Sequence, residues 1–580
     1  MTDAAAARPA DEKSFLGHPR GLVVLFFAEM WERFSFYGMR SILVLYLTQH
    51  FLFDQRFSSG LYGSYLAMTY AVPVLGGLLA DRYLGSRKAV IYGGILLVLG
   101  HFGMAFEGDG SKDYLNYAPT GAQYEFVAEG RGEARVVSLN VDGEVRPVTF
   151  VSGGIEIEGL PESASLPAFI PSDQYEVETV QQRLYVEILF LSLAFIIAGI
   201  GFLKANISTV VGALYRENDP RRDSGYSLFY MGINLGSFIA TLLVGYLAFN
   251  YGWGYGFGAA GVGMTLGLIV FVIGQPWLEG KAEPPDPQKL REKAFGPFNR
   301  EWLIYLSGFL IILVSWQLVR FQEIVGIFLL VTAAASVIGI VAFSFSKLTP
   351  VERDRVLVAL VLIAFAPIFW SLFEQAGSSM TLYAANNSEL QMFGGLITMY
   401  ASQVQFFNPL FIVILAPIFS WMWIALAKAG REPSTPVKFS LGLMQGGLGF
   451  LLLVWGATSF ASPEAKVPMI FLVGAYFLHT TGELTLSPVG LSMVTKLSVA
   501  RIVGLMMGVW FLANSLGYIV SGIMAQWTSV ETIGGQVLDV HESLATYADV
   551  WMKIGLFAIG AGLFLLILSP ILKKGMHGIR

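Results

Sequence analysis

Apolar side chains run through this chain in long stretches separated by short polar segments. A helix needs about 20 apolar residues to cross a bilayer. Such stretches recur near 22–50, 60–80, 88–106, 184–214, 225–249, 255–275, 301–319, 324–346, 356–383, 403–427, 438–458, 467–495, 502–527 and 549–571. The pattern predicts fourteen membrane spans, between a polar tail (1–21) and a short closing tail (574–580). Segment 276–300 is rich in Pro and charge and reads as a linker, with six spans before it and eight after. The two spans within 301–346 carry charge only near their ends and read as a lateral helical hairpin facing lipid. That leaves 22–275 and 347–573 as two six-helix bundles. The expected fold is an all-α membrane protein of two bundles with two extra central helices.

One segment breaks the pattern. Between the third and fourth spans lies a polar insert, 107–183. In it Tyr124–Ala128, Ala134–Val141, Val145–Val151 and Ile155–Ile157 are β-branched and alternating, and Asp142-Gly143 sits where a hairpin turn is needed. A small β-domain or pair of hairpins is expected, read as decoration or a contact surface in preference to a ligand site.

Composition agrees with the spans. The chain is 54% hydrophobic and 14% charged, with mean hydropathy +0.60, against about 25% charged residues in soluble domains. Its net charge of −5 argues against a nucleic-acid partner, which demands an excess of Lys and Arg. The chain has no cysteine, which excludes disulfides, thiolate metal sites and thiol catalysis. The stretch Met1 to Arg20 lacks an apolar core with a cleavage site and reads as a retained tail. Alternating the spans puts 25 of the 37 Lys and Arg on the side of both termini and nine on the insert side. The positive-inside rule then makes both termini cytoplasmic and the insert extracytoplasmic.

Charges inside the spans carry the chemistry. The first span reads Glu29-Met30-Trp31-Glu32-Arg33-Phe34-Ser35-Phe36-Tyr37-Gly38-Met39-Arg40. At about 100° per residue, Glu29, Glu32, Arg33, Tyr37 and Arg40 share roughly 140° of one helix face. Each lone charge near the bilayer centre costs about 2.5–3.5 kcal/mol on insertion scales, so this face is expected to pair internally or line a wet cavity. Adding Lys204, Glu374 and Glu483 gives three positive and four negative groups within spans. A carboxyl that holds a proton in some states relieves the surplus. The charges alone therefore supply a motive for proton coupling.

The pattern E-x-x-E-R-F-x-x-Y-G resembles the proton-dependent oligopeptide transporters, also called the peptide transporter family, within the major facilitator superfamily. Further pieces match in family order: Asp81-Arg82 and Arg87-Lys88 after span two, Phe202 to Asn206 with Lys204, Phe229 to Ser237 with Asn234, Phe369-Trp370 with Glu374-Gln375, Phe407-Asn408-Pro409, and Gly482-Glu483 to Ser492. The two extra helices resemble the bacterial branch. The resemblance implies a major facilitator fold and a monomer that imports di- and tripeptides with protons by alternating access, with no cofactor beyond the coupling proton. It assigns Glu29, Glu32 and Arg33, with Lys204 as partner, to proton movement. It makes Arg40 and Glu374 an extracytoplasmic gate, adds Glu483 to the proton-coupling groups and places it near the peptide amine, and gives Arg40 and Lys204 to the peptide carboxylate. Tyr37, Tyr70, Asn234, Trp370, Asn408, Trp510 and Asn514 are further lining candidates. Pro409, Pro417 and Pro488 are candidate kinks at gates.

The chain also departs from the family. Phe36 stands where many members have Tyr, Ala205 follows Lys204 where Pro is frequent, and span two has no His. His101 and His479 read as structural. Rival readings are the same fold carrying another zwitterion or anion, such as nitrate or a glucosinolate, and a receptor that senses through the insert. Arg40 and Glu483 together favour a zwitterion over a simple anion. No metalloprotease or nucleotide-binding motif is present, and no enzyme is expected.

Overall fold

The computed structural model describes residues 14–15, 17–151, 153–216, 219 and 221–579. Among these, sixteen helices follow one another. The first six spans are α1 (Gly21–Gln49), α2 (Gln55–Leu79), α3 (Ser86–Met104), α4 (Arg183–Ala213), α5 (Arg222–Tyr251) and α6 (Trp253–Gly274). A short α7 (Pro287–Arg291) lies in the linker. The extra hairpin is α8 (Arg300–Leu318) and α9 (Gln322–Lys347). Then come α10 (Pro350–Phe373), a short α11 (Ser379–Asn387), α12 (Phe407–Lys428), α13 (Thr435–Ser459), α14 (Ile470–Leu497), α15 (Val503–Trp527) and α16 (Val540–Gly575). All fourteen expected spans are helices. Eleven helical stretches among the described residues are long and apolar enough to cross a membrane. Helices α1, α3 and α14 are not in that set; α1 carries the charged face and α14 carries Glu483.

Local signals place the helix starts. Asp54 accepts the Phe57 amide at 2.7 Å and caps α2. Thr349 and Glu352 form a capping box at α10. The expected span 356–383 is corrected. The α-helix stops at Phe373, a 3₁₀ turn covers Glu374–Gly377, and α11 resumes at Ser379. A side chain at Gly377 would strike the Tyr62 hydroxyl, 1.7 Å from an added Cβ, so the other bundle crowds this turn. Helix α16 starts nine residues before the expected 549, because Tyr547 packs edge-on against Tyr383 outside the apolar run.

In the N-terminal bundle α1 packs on α5 and α6, and α3 on α4; in the C-terminal bundle α13 packs on α14 and α16. The hairpin does more than hang in lipid. Helix α8 lies on α4, while α9 lies on α15, α2 and α10, so the hairpin touches both bundles. Ion pairs Lys88–Glu301 (2.5 Å) and Arg320–Glu187 pin it, and Phe309, Leu310, Ile327 and Phe328 stay exposed on its outer faces.

The insert is one sheet of seven strands, more than sequence alone suggests. They are β1 (Lys112–Tyr117), β2 (Ala122–Glu129), β3 (Val136–Val141), β4 (Glu144–Val151), β5 (Gly154–Ile157), β6 (Phe169–Pro171) and β7 (Tyr175–Val180). Their order is β6-β5-β4-β3-β2-β1-β7, antiparallel throughout. Asp142 (φ 52°) and Gly143 (φ 88°) form the β3–β4 turn in the left-handed region, as expected. The insert reaches across the bundle boundary. Ile533, from the α15–α16 loop, completes its apolar core of Leu115, Val137, Leu139 and Ile155. The Gly534 amide donates to Asp113 Oδ2 at 2.7 Å, and Arg135 donates to the Gly534 carbonyl. The Gly132 amide donates to Gln49 of α1 at 2.8 Å.

On the insert side the two bundles are closed. Helices α2 and α15 meet backbone to backbone, where a Cβ on Gly63 would lie 2.8 Å from the Gly522 Cα. Gln526 donates to the Arg56 carbonyl at 3.1 Å. Towards the linker side the two helices diverge: Val74, Leu75 and Leu78 of α2 are exposed, and Gly504 and Gly508 of α15 face open space.

Candidate substrate and proton site

The charged face of α1 turns inward, as its spacing requires. The Arg33 Nε lies 2.7 Å from Glu29 Oε1 and 2.9 Å from Glu32 Oε2, and all three side chains are buried. One guanidinium thus serves two carboxylates. Both Glu32 oxygens and Glu29 Oε2 lack a hydrogen bond among the described residues. Buried carboxylate oxygens without donors are costly, and a proton on one carboxyl would neutralise the surplus charge. Lys204 of α4 is close enough to interact electrostatically with Glu32 and Arg33. It makes no ion pair with either glutamate among the described residues. Its ammonium stands 3.1 Å from the centroid of the Tyr70 ring.

Two turns along α1, Arg40 crosses to the other bundle. Its Nη1 lies 2.9 Å from Glu374 Oε2 and donates to Oε1 at 3.2 Å. Side-chain exposures of 7% and 4% make this a buried pair. The break after α10 delivers Glu374 to this point. The guanidinium also lies 5.0 Å from the Tyr37 ring and 6.0 Å from the Phe36 ring, so Phe36 keeps an aromatic contact without a hydroxyl. Beside Arg40 is a cavity of about 20 Å³, lined by Tyr37, Arg40, Gln405, Asn408, Tyr476 and His479. That volume holds a water molecule and no peptide.

Glu483 of α14 is half-buried. Asn408 donates to its Oε2 at 3.0 Å and to Thr480 Oγ1 at 3.1 Å, which fixes the carboxylate's orientation. On its linker side opens a cavity of about 380 Å³, with Leu484 and Pro488 of α14 on one wall and Tyr230 of α5 on the other. Binding sites for small ligands run from about 300 to 1,000 Å³.

The remaining candidates divide. Trp370 is half-buried beside Phe369, Phe373 and Tyr518, and its indole N–H has no partner among the described residues. Asn234 returns its amide to the Tyr230 carbonyl of its own helix at 3.0 Å. Trp510 is 2% exposed in the C-terminal core, against Gly490 and Phe439, and does not join the cluster around Arg40. Asn514 is buried, and its Oδ1 has no partner among the described residues. His479 Nε2 bonds the Gly446 carbonyl at 3.1 Å, a structural contact although the ring borders the central cavity. Sequence reasoning missed Gln405, which donates to the Ser41 carbonyl (3.3 Å) and Thr381 Oγ1 (3.0 Å) and so ties the bundles together. It also missed Tyr518. The polarity of Gln405 inside an apolar span was the available signal.

A family model described as "POT family" matches residues 87–540. This chain belongs to the POT family. Among its relatives, the uncharacterized transporter YclF of Bacillus subtilis (strain 168) is 34% identical, with 98% of this chain and 97% of that one covered. The peptide transporter YePEPT of Yersinia enterocolitica is 32% identical over 96% of each chain. The di-/tripeptide transporter of Lactococcus lactis is 31% identical over 98% of this chain and 99% of that one. A crystal structure of a peptide transporter POT in complex with sulfate superposes with TM-score 0.73, 32% identity and 98% of both chains covered. A POT family transporter in complex with 5-aminolevulinic acid gives TM-score 0.71 at 26% identity, covering 97% of this chain and 98% of that one. The fold is that of the POT transporters, and the chain is a multi-pass membrane protein.

Proposed function

We propose that this POT family member is a proton-coupled symporter that imports di- and tripeptides by alternating access across a bacterial inner membrane, as a monomer with both termini cytoplasmic. The names of its relatives support the substrate class. One observation carries the proton: a single guanidinium, Arg33, faces two buried carboxylates on the helix that also bears the bundle-crossing Arg40.

In this reading Glu29 and Glu32 exchange a proton, and Lys204 is a mobile counter-charge. The Arg40–Glu374 pair closes the extracytoplasmic side. A peptide is a dipole. Cations on the N-terminal bundle (Arg40, Lys204) suit its carboxylate, and Glu483, oriented by Asn408, suits its amine. Engaging both ends draws the bundles together, which favours occlusion, and rocking about the central site completes the cycle. The proton is the coupling ion, and the mechanism needs no other cofactor.

The test is uptake of radiolabelled dialanine into proteoliposomes, with and without an inwardly directed proton gradient. Gradient-stimulated uptake, competed by free di- and tripeptides but not by N-acetylated, C-amidated ones, is expected. Uptake of nitrate but not of peptide would overturn the reading.

A further inference from the structure

The lysine assigned to proton coupling sits on an aromatic ring, and that ring is held from the other bundle. Tyr70 of α2 meets Tyr518 of α15 edge to face, with centroids 4.7 Å apart and the hydroxyls close enough to interact. Tyr518 is 1% exposed and is backed by Trp370, with centroids 6.4 Å apart. The pair lies where α2 and α15, close-packed from Gln526 through Gly63–Gly522, begin to diverge towards the linker side. The charged and titratable groups interacting with Lys204 are Glu32 and Arg33 of α1 and Tyr70 of α2; Tyr70 in turn interacts with Glu374, Arg33 and Tyr518.

A cation–π contact is weaker than a desolvated ion pair. The Lys204 contact therefore depends on where the Tyr70 ring stands, and Tyr518 is the ring packed against it from the other bundle. We propose that Tyr518 is a positioning residue for coupling: docked on Tyr70 across the bundle boundary, it holds the Lys204 ammonium away from Glu29 and Glu32 while the insert side is closed, and frees it when α2 and α15 separate. The lysine's partner then depends on which side of the protein is open. A proton on the acidic pair is retained in one state and displaced by the lysine in the other. This rests on the proton-coupled reading above.

Tyr518→Leu removes the ring, and Tyr518→Phe keeps it. Full-length protein in proteoliposomes is assayed for gradient-driven dialanine accumulation, for counterflow exchange without a gradient, and for the pH dependence of each. In Tyr518→Leu, gradient-driven accumulation is expected to fall at least fivefold with counterflow within twofold of wild type, and the pH of half-maximal uptake to move. Tyr518→Phe is expected to restore most of the accumulation. If the leucine variant is not monodisperse after purification, Tyr518→Met serves as the truncation. Parallel loss of both transport modes, or no change in either, overturns the inference while wild-type transport leaves the functional reading intact. Absence of peptide transport by wild type overturns both.

Discussion

Replacing Glu374 with Gln tests whether the Arg40 pair holds the insert side shut. The substitution keeps the shape and leaves a buried guanidinium facing a neutral amide. Both partners are at most 7% exposed, so solvent screens the pair weakly. Removing one partner of a buried, hydrogen-bonded pair costs about 2–5 kcal/mol. The retained amide oxygen argues for the lower end, about 2–3 kcal/mol. The pair joins the two bundles, so this loss falls on the closed state alone and shifts the equilibrium roughly 30- to 150-fold. An open state populated at about 1% would rise to roughly a quarter, or past half. The cysteine-free chain allows clean spin labelling at Arg56 and Trp527, exposed on opposite bundles at the insert side. Pulsed dipolar spectroscopy should show one short distance in the parent and an added, longer population in Glu374→Gln. An unchanged distance distribution would refute the assignment of the pair as the closing contact.

Three further outcomes follow from the insert and the bundle boundary. Asp113→Ala removes the acceptor of both the Gly534 amide (2.7 Å) and Thr179 Oγ1 (2.6 Å); a loss of about 1–3 kcal/mol should lower the apparent Tm in detergent, while Asp173→Asn on the exposed surface of the insert leaves it unchanged. Partial desolvation raises the Glu133 carboxyl above its ordinary 4.5, and because the residue is exposed to solvent the effect is small. The folded insert then binds this proton more tightly than the unfolded chain, so its contribution to stability is full below 4.5 and declines as pH rises above that. Glu133→Gln should flatten the pH dependence of Tm just above pH 4.5, and an identical slope in both proteins would contradict this. Gly522→Leu would put side-chain atoms where Gly63 stands, 3.1 Å from an added Cβ; it should favour the insert-side-open population in the same spin-label assay.

The fold was legible in the sequence because bilayer thickness imposes one length on every span. Fourteen apolar stretches became fourteen helices with ends close to those expected. Errors arose where tertiary contacts override hydropathy. At the break over Glu374–Gly377, Gly377 sits against the Tyr62 hydroxyl of the other bundle, a contact that no local pattern reveals. The outer part of α16 is polar and is held by Tyr547 against Tyr383. In the insert, β3, β4 and β5 showed alternation around a good turn. The edge strands β6 and β7 are short or largely exposed and lack an apolar signature.

For the site, helical periodicity placed Glu29, Glu32, Arg33 and Arg40 on one buried face, and the structure joins the first three as expected. The Arg40–Glu374 contact spans 334 residues, so only the family resemblance suggested it. Trp510 illustrates the limit: an indole near a motif resembles a pocket wall, but α14 leaves Gly490 beneath it and the ring packs into the core. The dependence of Lys204 on Tyr70 and Tyr518 rests on a three-helix juxtaposition that no sequence pattern encodes.

Protons that move with peptide through the α1 carboxylates must appear inside the vesicle as peptide enters. The most direct measurement is internal acidification in proteoliposomes loaded with a pH-reporting dye, on addition of external dialanine. Acidification is expected to grow with peptide concentration in wild type and to be absent in Glu32→Gln, while Glu32→Gln still exchanges labelled for unlabelled peptide. Peptide entry without acidification, or acidification undiminished in Glu32→Gln, would contradict this coupling.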